Sequence, residues 1–152
     1  MGVYNIQELS QEHQEILFRM PALVSVLIGV ADGDMDSNEE SRAKRAVHFR
    51  QSIGDPLLFD YFAQVEKQLD RDLAVYEDIS RNIPSEDRVS YISDEIAQIN
   101  DVLPLLDEKL ATAIVKNLRS LAMGIATTSG GIIGVGAGYT ESDLAQLTMI
   151  NY

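Results

Sequence analysis

Positions 16–30 read Ile-Leu-Phe-Arg-Met-Pro-Ala-Leu-Val-Ser-Val-Leu-Ile-Gly-Val, and no other stretch restricts the fold as much. Ile16, Leu17, Met20, Leu23, Val24, Leu27 and Ile28 recur at spacings of three and four, which is one face of an α-helix. Val26 and Val30 widen that face, so the helix is expected to be buried on most sides. Ser10 is placed to cap its start. Pro21 has no backbone donor and crowds the preceding turn, which predicts a kink or a short break.

The run leads into Ala31-Asp32-Gly33-Asp34-Met35-Asp36-Ser37-Asn38-Glu39-Glu40, where five carboxylates fall within nine residues. Gly33 suits a helix stop, because glycine accepts a left-handed backbone. Asp36-x-x-Glu39 and Ser37-x-x-Glu40 both have capping-box spacing, so either Asp36 or Ser37 starts the next helix. Ala43, Ala46, Val47, Arg50 and Ile53 continue it. Lys44 and Arg45 stand beyond its acidic start, the order that the helix dipole favours. The stretch reads as the hinge of a helix–loop–helix and as the best candidate for a functional site.

Gly54-Asp55-Pro56 supplies a stop, a cap and a helix-starting proline. Leu57, Leu58, Tyr61, Phe62, Val65, Leu69, Leu73, Tyr76 and Ile79 then form a long stripe. Part of that stripe offers a homodimer seam; the rest is core. After Pro84 a further helix carries Val89, Ile92, Ile96, Ile99, Val102 and Leu103. Pro104 is expected to start the next, with Leu106, Leu110, Ile114, Leu118, Leu121 and Ile125 buried. Residues 124–138 read as a glycine-rich loop, with backbone freedom and close helix packing as its reason. A last helix, capped by Thr140-x-x-Asp143, would bury Leu144, Leu147 and Ile150. No stretch has convincing period-two alternation. The expectation is an all-α bundle of about six helices in one domain, 1–152.

The chain carries 24 acidic and 12 basic residues, a net charge of −12, which repels phosphate backbones and argues against nucleic-acid binding. Without cysteine it has no disulfide, thiolate zinc site or cysteine nucleophile. Residues 1–15 are polar and acidic, unlike a signal peptide, and no apolar run is long and clean enough to predict a transmembrane span. These features fit a cytoplasmic protein.

Residues 27–39, and Ala31-Asp32-Gly33-Asp34-Met35-x-x-x-Glu39 within them, resemble the Ala-Asp-Gly-acid-apolar-x-x-x-Glu signature of the TerB-like, tellurite-resistance-associated family. Residues 129–136, Ser-Gly-Gly-Ile-Ile-Gly-Val-Gly, resemble the second loop of some relatives. The likeness covers 22–50 and 118–150; the segment 55–105 contributes only helicity. It implies a helical bundle with two pseudo-repeated helix–loop–helix units, an acidic patch for a divalent metal, and a role in stress or metal-ion response. Asp32, Asp34 and Glu39 match the first signature. Asp143 stands where the second usually has Glu, and Ser129-Gly130 stands near the place of a second Asp-Gly.

A hard divalent cation needs several oxygens at about 2.0–2.6 Å. Asp32, Asp34, Asp36 and Asn38 alternate like the start of a calcium loop, but position six is Ser37 in place of Gly and position twelve is Ala43 in place of Glu. An EF-hand is therefore not expected. A looser site for Ca²⁺, Mg²⁺ or Mn²⁺ would draw on Asp32, Asp34, Asp36, Glu39, Glu40 and Asp143. The competing reading has Asp36 and Glu39 capping a helix while the others are solvated. His13 and His48 read as surface or boundary residues, and Ser129 lacks the setting of a nucleophile. The glycine-rich stretch has neither the Gly-Lys-Ser/Thr nor the preceding strand of a phosphate loop. The expected function is non-enzymatic, through basic or membrane-associated protein partners. The rivals are a metal-free module with an acidic docking face and a metal-dependent hydrolase with paired carboxylates.

Overall fold

The Ser10 hydroxyl accepts the His13 N–H at 3.2 Å and its carbonyl the Gln14 N–H at 2.9 Å, so the first helix starts where its cap predicts. In the computed structural model, which describes residues 2–31, 36–131 and 150 (backbone alone for 127–131), this is α1, Gln11–Ala31. The other long elements are α2 (Ser37–Ser52), α3 (Phe59–Arg81), α4 (Ser85–Ala97) and α5 (Glu108–Gly131). Short 3-10 turns cover Ile6–Glu8, Pro56–Leu58, Gln98–Asp101 and Leu103–Leu105. The described residues contain no strand, only an isolated parallel bridge between Val3 and Leu106. The fold is all-α.

α1 is the centre. It packs against α2, α3, α4 and α5, and Leu17, Met20, Val24, Val26, Leu27 and Ile28 have no exposed surface. Among the described helices it is the one long and apolar enough to cross a membrane, yet 67% of its most apolar window is buried inside the fold. Burying one Leu or Ile side chain contributes about 1.5–3 kcal/mol, and α1 does this along most of its length.

Pro21 does not break α1, which runs through it from Gln11 to Ala31. Its missing N–H leaves the Leu17 carbonyl without its helical donor. The Tyr61 hydroxyl of α3 donates to that carbonyl at 2.6 Å. Burial pushes the Tyr61 phenol far above its ordinary pKa, so it stays a donor. Ser25 in turn donates to the Pro21 carbonyl at 2.7 Å.

Several boundaries differ from the periodicity reading. Pro104 lies in a 3-10 turn and Leu106 is extended, so α5 starts later, with Asp107 as its cap. Asp107 Oδ2 accepts the Lys109 N–H at 3.0 Å. The reason is the N-terminal segment: Val3 donates to the Leu105 carbonyl and accepts from the Asp107 N–H, which holds Leu106 extended between them. At its other end α5 continues to Gly131, so 124–131 is helix and not loop. A Cβ on Gly124 would meet nothing within 4 Å, so close packing does not explain that glycine. At Gly54 it would meet the Arg50 carbonyl oxygen at 2.8 Å, which accounts for glycine at the end of α2. Leu57 and Ile53 are exposed rather than core. The remaining loop residues and the expected last helix lie outside the described residues, apart from Ile150, which is buried and whose carbonyl accepts from Arg119.

Candidate functional site

Asp36 precedes α2 in an extended conformation, and its Oδ1 accepts the Glu39 N–H at 2.7 Å. Glu39 returns the bond, its Oε1 accepting the Asp36 N–H at 3.1 Å. This reciprocal pair satisfies two backbone donors that a helix start leaves open. It selects Asp36 over Ser37 as the cap. Glu39 is only 4% exposed, a buried carboxylate held by the backbone it caps.

Glu40 points the other way, towards α3. Lys44 Nζ lies 3.2 Å from Glu40 and 3.0 Å from Asp70, bridging the two helices. These two hydrogen bonds hold the Lys44 pKa above its ordinary value. Glu77, two turns beyond Asp70 on the same face of α3, also meets Glu40. Burial and then the Glu40 charge push the Glu77 carboxyl above its usual range, against the opposing pull of Arg81, 3.7 Å away, and Lys44. One helical turn on, His48 Nδ1 sits 2.6 Å from Glu66 Oε2, and the ring is exposed, as expected for a surface histidine.

The α2–α3 face thus gathers Glu40, Glu77 and Asp70 around one lysine, next to the capping pair. Asp70 and Glu77 are absent from the site read from sequence. They lie thirty and thirty-seven positions from Glu40, and their seven-residue spacing was the one signal that they share a face. Of the six candidate metal ligands, Asp36, Glu39 and Glu40 are described; Asp32, Asp34 and Asp143 lie outside the described residues. Among the described residues no group of three or more His, Asp or Glu side chains has the arrangement to hold a metal ion. The described half of the corner does not fit such an ion by itself, because a carboxylate oxygen of Asp36 and one of Glu39 are engaged with backbone N–H groups and one of Glu40 with Lys44. Compared with models of protein families, with curated proteins and with solved structures, the chain matches none.

Proposed function

We propose that this is a non-enzymatic, TerB-like protein of two pseudo-repeated helix–loop–helix units, working through protein partners in a stress, tellurite or metal-ion response. Its α1–α2 corner takes Ca²⁺, Mg²⁺ or Mn²⁺ weakly. Its ligands are drawn from Asp32, Asp34, Asp36, Glu39, Glu40 and Asp143. The observation that supports this reading is the crowding of Glu40 against Glu77 beside the capped start of α2. A carboxyl that burial and a neighbouring like charge hold above its ordinary pKa gains from a cation brought near it.

A second reading is a metal-free module whose acidic face docks a basic partner. The capping bonds of Asp36 and Glu39 favour it, since they give both carboxylates a structural task. Calorimetry together with thermal shift separates the two. Binding of Ca²⁺, Mg²⁺ or Mn²⁺ that Asp34→Asn abolishes supports the cation site. No response to any of them, or to Zn²⁺, at millimolar concentration leaves only the docking reading.

A further inference from the structure

About 18 Å along α1 from the acidic corner, Arg19 opens onto a cleft between α1 and α3. Arg19 is half-buried, and its Nε is buried with no hydrogen-bond partner. Its Nη2 reaches Gln98 Oε1 only at 3.5 Å, and no carboxylate of the described residues forms an ion pair with it. In a chain with twice as many acids as bases, this half-buried guanidinium reaches a carboxylate of the described residues only through Gln98, whose Nε2 donates to Glu95 Oε2 at 2.8 Å.

Asp72, the buried acid in the lining of this cleft, is already engaged. Along α3, Gln64 Nε2 donates to Gln68 Oε1 at 3.1 Å, and Gln68 Nε2 donates to Asp72 Oδ2 at 2.8 Å. Arg71 covers the other Asp72 oxygen at 3.3 Å. This ladder of amides forms a polar floor, and the Gln64 carbonyl at its open end accepts from no described residue. Tyr4, Leu57 and Val75, all exposed, give the rim apolar surface. Asp60 and Glu15 add negative charge to the lining, each about a turn before Gln64 or Arg19 on its helix. Asp60 and Asp72 are twelve residues apart on α3, about 18 Å, the span of roughly five extended residues. The cleft has a volume of about 920 Å³, within the range of small-ligand sites.

We propose that this cleft binds a short, free oligopeptide. Its terminal carboxylate pairs with Arg19, its backbone amides meet Gln64 and Gln68, and its ammonium end faces Asp60. Apolar side chains rest on Tyr4, Leu57 and Val75. The amide floor favours a peptide body over a hydrocarbon chain, because a peptide N–H can supply the donor that the Gln64 carbonyl lacks.

The test uses the full-length ¹⁵N-labelled protein and a mixed pool of Ala/Leu tetrapeptides with free termini, beside the same pool amidated at the C-terminus and acetate alone. Binding is read from the Arg19 Nε–H signal and the side-chain amide signals of Gln64 and Gln68. The free-acid pool is expected to move all three at millimolar concentration, and the amidated pool to bind about tenfold or more weaker. Arg19→Gln should lose a similar factor. Arg19→Lys, which keeps the charge, should lose less and checks that the fold is intact. The proposal fails if neither pool moves these signals, if both pools bind equally, or if acetate reproduces the whole response.

Discussion

Tyr61, Leu17 and Pro21 form one unit, although no pattern in the chain links them. Proline removes a donor at position 21, and a tyrosine forty residues later replaces it. Tyr61→Phe strands a buried carbonyl and should cost about 1–3 kcal/mol in urea denaturation. Pro21→Ala returns the helical N–H to Leu17, so the Tyr61→Phe penalty should shrink markedly in that background. Equal penalties in both backgrounds would show that the hydroxyl is not the substitute donor. Glu77 makes a pH-dependent prediction. A carboxyl with a higher pKa folded than unfolded binds its proton more readily in the folded chain. Stability is therefore lost as pH rises from the ordinary glutamate range through the raised value. Glu77→Gln should be more stable than the native chain at pH 7 and indistinguishable from it well below the carboxyl range, as read from Tm at both pH values.

At the scale of elements, local rules succeeded where neighbouring residues decide the outcome. Ser10, Asp36 and Asp55 each cap the segment they precede, because a cap acts over two or three residues. The stripes of α1, α3 and α4 bury the expected side chains for the same reason. The reading failed where a distant segment intervened: Val3 holds Leu106 extended, so α5 starts late, and no break follows at Pro21, where Tyr61 supplies the missing donor. Helix α5 runs on through Gly124 because a single glycine in a helix costs only about 1 kcal/mol. In metal-free buffer Asp36→Ala should cost about 1 kcal/mol, while Asp36→Asn, which still caps, should cost little. If the asparagine variant also loses its response to Ca²⁺, capping and cation binding are separate tasks of one carboxylate.

For the whole molecule, one apolar helix packed against four others leaves every described acid except Glu39 and Asp72 at least partly exposed. The acidic corner was legible in part. Asp36, Glu39 and Glu40 are adjacent in the chain, but Glu77 and Asp70 join them only because α2 and α3 pack face to face. The cleft at Arg19 was not legible at all, since its residues come from α1, α3 and the N-terminal segment, with no shared spacing. The most direct test of the cation-binding corner is a Mn²⁺ titration of the ¹⁵N-labelled protein, in which the paramagnetic ion broadens signals close to where it binds. Broadening at substoichiometric Mn²⁺ that is centred on residues 32–40, reaches Asp143 and Glu77 and fades along α2 is the predicted result. Broadening spread evenly over the acidic surface, or none, would contradict it.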